Sequence, residues 1–486
     1  MVRVRPGTGL ALGLLMVGSL GLVACESSTP EAAPLDSPAV ATSARSFKPG
    51  AAGVGDEYFP SYGNGGYDVT AYTVKVRYDP AKDRLSGVTT VRATATTDLS
   101  SFNLDLAGLT VSEVTVDGAA AKHRREKNEL VVTPAAGLVS GNGFVAEITY
   151  AGVPKALKNE VLGEGGWLHT GDGAIALGQP ESASTWFPVN DHPSDKATYQ
   201  FEITVPDGLT AVSNGVPGGK SSTGGWTTWK WAENTPMASY LSTVAIGKFR
   251  LTQGEHKGRP VFHAVTTKVA KGAADASIAR TVEVADYLES VFGPYPVEAY
   301  GGVVVSDDRI RYALETQSRP VYSAGFFRQG ENTGVVAHEL AHQWFGNSVA
   351  LEKWADIWLN EGLSTYAEWL WAEHSGDGTA EAAFDRARAR VPASVWRTPP
   401  GRPGVANLFS ESVYERGAMT VHALRVSVGD QAFFRILKTW AQEQRNATGT
   451  TAEFVELAER ISGRQLDKLF DAWLYGTEKP AAPEPL

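Results

Sequence analysis

Thr333-Gly334-Val335-Val336-Ala337-His338-Glu339-Leu340-Ala341-His342-Gln343-Trp344-Phe345 carries apolar residues at three- and four-residue spacing, the pattern of a helix with one buried face. Inside this run stands H-E-x-x-H. Residues four apart on a helix are one turn apart, so His338 and His342 project from one face, about 6 Å apart along the axis. That spacing lets two imidazole nitrogens reach one zinc ion at ~2.0–2.1 Å. Glu339 lies beside them, placed to act as base toward a water. A second helix opens on Trp354-Ala355-Asp356-Ile357-Trp358-Leu359-Asn360-Glu361-Gly362, and Glu361 follows His342 with eighteen residues between them. Two histidines and a carboxylate from a neighbouring helix make a catalytic zinc set with one position left open, so one zinc ion per chain is expected. Asp356 and Asn360 stay open to two readings, as partners of the histidines or as helix caps.

Outward from this stretch, helical spacing recurs at 274–292, 363–374, 380–391, 413–428 and 431–443, with a short β run at 302–305. Residues 451–474 read as two short helices split at Ser462-Gly463. Upstream the period changes to two. Val69, Ala71, Thr73 and Lys75 interleave with Thr70, Tyr72, Val74 and Val76. Further strands are predicted at 88–96, 102–106, 111–116, 130–133, 144–150, 199–205, 227–231 and 240–249. Asp117-Gly118 and Gly141-Asn142-Gly143 supply turns between them. The fold class is therefore α+β: an all-β domain over 56–252, a mostly helical domain over 253–477 and a Pro-rich tail over 478–486. A chain of 486 residues also exceeds the ~250–300 residues that one core supports.

The formal net charge is -10, and the densest basic cluster is only Lys122-His123-Arg124-Arg125, which argues against a nucleic-acid partner. Cys25 is the single cysteine, so no intrachain disulfide can form. Residues 1–24 read as an export signal: Arg3 and Arg5, then a short apolar run from Leu10 to Leu22. Leu22-Val23-Ala24-Cys25 resembles a bacterial lipobox, which implies a lipidated Cys25 holding the protein on a membrane surface outside the cytoplasm. Residues 25–55, rich in Ser, Pro, Ala, Thr and Gly, are expected to be a flexible tether.

The zinc motif with its Asn360-Glu361-Gly362 sequel resembles the gluzincin aminopeptidases, the aminopeptidase N and leukotriene hydrolase family. Ala313-Leu314-Glu315-Thr316 is similar to that family's Gly-Ala-Met-Glu-Asn, although Tyr312, Leu314 and Thr316 depart from it. Gln179-Pro180-Glu181 is similar to its Gln-x-Glu, and Tyr414-Glu415-Arg416-Gly417-Ala418 to its Tyr-x-Lys-Gly-Ala. The resemblance implies a saddle-like β-sandwich followed by a thermolysin-like catalytic domain. It implies that Glu315 and Glu181 bind the substrate's α-amine, that Gln179 lines the first substrate pocket, and that Tyr414 donates to an oxyanion. It implies peptide substrates with a free N-terminus. The likeness runs from about residue 60 to 477, a short two-domain form. His192, His263 and His422 lack ligand spacing and read as structural or exposed.

Two other readings use the same residues. A zinc endopeptidase would share the metal set without the amine anchors. A surface-anchored binding protein would sit on an inactive scaffold, against which the presence of His338, Glu339, His342, Glu361 and Tyr414 counts. A monomer is the expected assembly.

Overall fold

The period-two run predicted from Tyr67 onward is a long strand, Tyr67–Asp79, with a change of phase inside it. Tyr67 and Val69 are buried, then Tyr72, Val74, Val76 and Tyr78. The phase shifts because the pairing with Arg84–Ala95 is irregular between Val69 and Ala71. One extra residue in a strand turns every later side chain to the other face. This strand lies inside an eight-stranded sheet, flanked by Arg84–Ala95 on one side and, in parallel, by Lys196–Pro206 on the other. Tyr72, Tyr199, Phe201, Trp186 and Phe187 stack against one another in the core under this sheet.

The computed structural model describes residues 45–159 and 163–484, and Ser46 onward forms one contact unit. The export signal and Cys25 lie outside the described residues. The last part of the stretch expected as a tether does not hang free. Lys48–Pro49 pairs with the strand at Leu99, Gly50 donates to Ser101 O at 2.8 Å, and Gly65 donates to Ala51 O at 3.0 Å. Asp56, 5% exposed, accepts from the Trp354 amide at 2.9 Å, tying this segment to the entrance of the glutamate helix. Backbone hydrogen bonding here outweighs a composition that by itself favours disorder.

Helices follow the sheets, with one qualification to the expected switch near residue 253. A five-stranded sheet runs from Phe249–His256 through Arg259–Thr266, Tyr300–Val305 and Val321–Ser323 to the edge strand Ala313–Leu314. Short runs such as Arg259–Thr266 mix buried and half-buried residues, which hides the alternation. The predicted strand 240–249 is likewise two elements, a single 3-10 turn at Ser239–Leu241 and the strand Val244–Gly247. The helix expected at 274–292 breaks at Arg280 into Ala273–Ala279 and Thr281–Phe292. The two elements that matter most are the metal helix, Thr333–Ala341, and the glutamate helix, Trp358–Ser375. Among the described residues no helix is long and apolar enough to cross a membrane.

Candidate metal centre

Asn332 caps the metal helix, its side chain accepting from the Val335 amide, and the helix ends at His342, which serves as C-cap. His338 and His342 therefore lie one turn apart, with ring centroids at 4.8 Å. The glutamate helix brings Glu361 against both: its Oε2 lies 3.4 Å from His338 Nε2 and 3.3 Å from His342 Nε2. All three side chains are buried, and their ligand atoms fall within 4.8 Å of one another. Each outer ring nitrogen is occupied. His338 Nδ1 meets Glu368 Oε1 at 2.7 Å, and His342 Nδ1 meets Phe345 O at 3.0 Å. Those contacts hold both rings with Nε2 turned inward, which is how metal-ligating histidines are oriented. Burial pushes the Glu361 carboxyl up, but the two imidazoles override it and hold it at about 2. A buried His-His-Glu set with inward nitrogens and an ionised carboxylate fits a zinc ion.

Glycines let these parts meet. A Cβ on Gly362 would stand 2.9 Å from Gly417 Cα, so the glutamate helix and the segment carrying Tyr414 pass backbone to backbone. Tyr414 sits in a single π turn, Ser412–Arg416, and stacks on His338 with centroids at 6.0 Å. Burial, and then the Glu361, Glu315 and Glu339 carboxylates, push its hydroxyl well above the ordinary range, so it remains a donor. Arg416 anchors that turn from beneath. It is fully buried and donates to Trp473 O at 2.8 Å, Trp396 O at 2.6 Å and Gly476 O at 2.6 Å. The rigid guanidinium fork serves several carbonyls at once, which a lysine cannot do in the same way.

Glu339 is buried beside the metal set, and burial pushes its carboxyl up to about 8, against the pull of His338 and His342. Glu315 leaves the edge strand into the same cavity, 3% exposed. Its backbone carbonyl is held by Asn347 Nδ2 at 2.8 Å and Gln343 Nε2 at 3.3 Å, both from the turns that follow the metal helix. Gln179 Nε2 donates to Glu315 Oε1 at 3.2 Å. The cavity, of about 340 Å³, is lined by these groups together with Arg311, Tyr312, Phe326, Val335 and Glu368.

Of the predicted residues, the structure brings together His338, His342, Glu361, Glu339, Glu315, Gln179 and Tyr414. It does not bring Glu181 among them. Glu181 lines a neighbouring cavity with Tyr62, Asp105, Glu129 and Asp191. Asp356 accepts from Thr451 at 2.5 Å and so joins two helices rather than orienting a histidine. Asn360 packs where a Cβ on Gly346 would meet its Nδ2 at 3.1 Å and His342 Nδ1 at 3.3 Å. Glu368 is the residue that sequence reasoning missed. Its signal was present, seven residues after Glu361 and so two turns along the same helix face. His192, His263 and His422 are buried away from this set, His422 against Tyr366 at 3.2 Å.

Residues 322–473 match the Peptidase family M1 domain, and residues 68–241 match the Peptidase M1 N-terminal domain. Among curated relatives, Aminopeptidase M1 of Arabidopsis thaliana is 27% identical over 324 residues. That match covers 62% of this chain and 36% of the plant protein, so the chain spans about a third of that relative's length. Among solved structures, the M1 zinc metallopeptidase of Deinococcus radiodurans superposes with a TM-score of 0.82 at 30% identity, covering 89% of this chain and 99% of that one. A mutant of the Deinococcus protein solved with a Tyr-Ser-Ala substrate matches with the same TM-score and identity, over 89% of this chain and 100% of that one.

Proposed function

The chain belongs to the M1 peptidase family of zinc metallopeptidases, and we propose that it removes the first residue from peptides with a free N-terminus. One observation carries this reading. Glu315, Glu339 and His342 offer ligand atoms within 4.8 Å of one another, so a buried carboxylate outside the His338, His342 and Glu361 set lies beside the reacting centre. A substrate ammonium paired there stands one residue short of the metal, which selects the first peptide bond. An ammonium enters such a dry pocket at low cost only when a carboxylate receives it.

His338, His342 and Glu361 would hold one zinc ion, which when bound would supply Lewis acidity toward a water and a carbonyl. Glu339 takes the proton from the attacking water and passes it to the leaving amine. Tyr414 donates to the oxyanion that develops on the carbonyl. Glu315 receives the ammonium, with Gln179 steadying its carboxylate. Glu368 keeps His338 in the tautomer that leaves Nε2 free. Glu181, placed among other carboxyls, serves the amine only if the turn around Pro180 moves. Cys25, lipidated at the mature N-terminus, tethers the enzyme outside the cytoplasm; fatty-acid labelling that survives in Cys25→Ser would sink that part.

The test compares two peptides that differ only by an N-acetyl cap, with and without a zinc chelator. Chelator-sensitive release of the first residue from the free peptide alone is expected. Glu339→Gln is expected to lower kcat by about 10³-fold, the middle of the range for a lost acid-base group. Equal cleavage of the capped peptide would identify an endopeptidase instead.

A further inference from the structure

The metal cavity is lined by four carboxylates, Glu315, Glu339, Glu361 and Glu368, and by one Lys or Arg side chain, Arg311. Arg311 is exposed, and its only side-chain hydrogen bond among the described residues is Nε donating to Asp308 O at 3.1 Å. Among the described residues no carboxylate lies within ion-pairing distance of its guanidinium. Arg309, two residues earlier, shows the contrast: it holds Asp307 through two contacts of 2.9 and 2.8 Å and so is neutralised. Arg311 also lines an adjoining cavity of about 570 Å³, together with Arg328, Asp307 and Asp308. Arg328 has no carboxylate partner among the described residues either. With Asp307 already paired to Arg309, the free charges of that second cavity are two guanidiniums and one carboxylate.

Arg311 stands four residues before Glu315, on the approach to the edge strand Ala313–Leu314. Four residues of chain span at most ~13 Å, less here because the chain bends at Tyr312, so the two side chains lie within the length of a short extended peptide. A peptide whose ammonium sits at Glu315 therefore has its own carboxylate groups within reach of Arg311, whether that group is an acidic side chain or the terminal carboxylate.

We propose that Arg311 is a specificity residue that pairs with a carboxylate of the substrate. This rests on the aminopeptidase reading above. A planar guanidinium with both Nη groups free presents a two-pronged donor that matches a carboxylate. It also offsets the repulsion that an acidic substrate meets in a cavity walled by glutamates.

The experiment uses the zinc-loaded chain and four peptides: Ala-Ala-Ala, its C-terminal amide, Glu-Ala-Ala-amide and Gln-Ala-Ala-amide. Binding is measured on the Glu339→Gln protein, turnover on the wild type, each with and without Arg311→Gln and Arg311→Lys. In one of the two pairs the carboxylate member is expected to bind about 10-fold more tightly, the gain of a charge-assisted hydrogen bond. The gain appears in KM with kcat little changed. It is lost in Arg311→Gln and partly kept in Arg311→Lys, while the neutral peptides are unaffected. A preference in the Ala-Ala-Ala pair assigns the terminal carboxylate; one in the Glu/Gln pair assigns the first side chain. Equal binding within both pairs, or a preference that survives Arg311→Gln, overturns the proposal. Carboxylate-dependent binding without turnover would instead overturn the aminopeptidase reading and leave Arg311 in place.

Discussion

Two cavities of this molecule are walled by buried carboxyls, and they treat them in opposite ways. In the metal cavity, Glu361 is held at about 2 because two imidazoles face it. In the neighbouring cavity, of about 370 Å³, Asp105 is pushed well up by burial and then by Glu129 and Asp191. Burial likewise pushes Glu181 to about 7 and Asp191 to about 6. Here burial outweighs the hydrogen bonds that Asp191 accepts from Ser184 and Ser239, and among the described residues no imidazole stands opposite the carboxyls as in the metal cavity. The chain passes from one cavity to the other within two residues, since Gln179 touches Glu315 and Glu181 does not. The segment between them is a tight turn, closed by the Ser182 amide on Gly178 O at 2.6 Å, and neighbouring positions of a turn do not share a face. The same residue type is thus a charged ligand in one place and a neutral wall in the other, according to what stands opposite it.

The sharpest way to break this comparison is to neutralise one glutamate from each cavity. Glu315→Gln is expected to lower kcat/KM on free-N-terminus peptides by about 100-fold, the cost of leaving a buried ammonium without its carboxylate. Glu181→Gln is expected to change it by less than about 3-fold, as substitutions outside the site usually do. Equal effects would mean that the turn opens on binding and the cavities merge.

A smaller effect should separate the residues around the metal. Glu368→Gln leaves the three ligands in place but weakens the hold on His338 Nδ1. Zinc affinity is expected to fall about 10-fold, read by competition with a chelator of known affinity. Unchanged affinity would reduce the 2.7 Å contact to a surface ion pair.

The last effect falls on stability and not on activity, as a dependence on pH. Glu181 has a raised folded pKa, so its contribution is fully present below the unfolded value of 4.5 and is lost as pH rises through about 7. Glu181→Gln removes that loss. Its urea midpoint, compared with wild type, is expected to improve between pH 4.5 and 8 by an amount worth about 3 kcal/mol. A gap that does not vary with pH would show the carboxyl to be already charged at pH 4.5.

The site was more legible than the path of the chain around it. His338, Glu339, His342 and Glu361 are set by local periodicity: one helical turn, and a second helix whose first turn carries a carboxylate. Glu368 was readable in principle, two turns beyond Glu361. Asp356 was not, because its partner Thr451 lies 95 residues away. The long strands with clear alternation, such as Tyr67–Asp79, were visible, apart from the bulge that reverses their phase. The sheet containing Arg259–Thr266 and Tyr300–Val305 was mostly hidden, because parallel strands packed on both sides show a continuous apolar run rather than alternation. The start of the folded unit near Ser46 was hidden as well, since Lys48–Pro49 is ordered by hydrogen bonds to a strand fifty residues away rather than by its own composition.

By itself the sequence determined that His338 and His342 could share a metal, because their spacing depends on helical rise and on nothing distant, and that Glu361 stood ready in the first turn of the next helix; that Glu361 faces them depends on how the two helices pack. It also determined that the first half would be sheet and the second mostly helix, since hydrophobic period is a local property. Only the tertiary structure decided that Gln179 joins Glu315 while Glu181 turns away, that Gly362 and Gly417 let Tyr414 approach His338, and that Arg311 reaches the cavity without a carboxylate partner among the described residues. Those outcomes depend on which surfaces far apart in the chain come to face one another, and on whether a buried charge meets an opposite charge or only a proton.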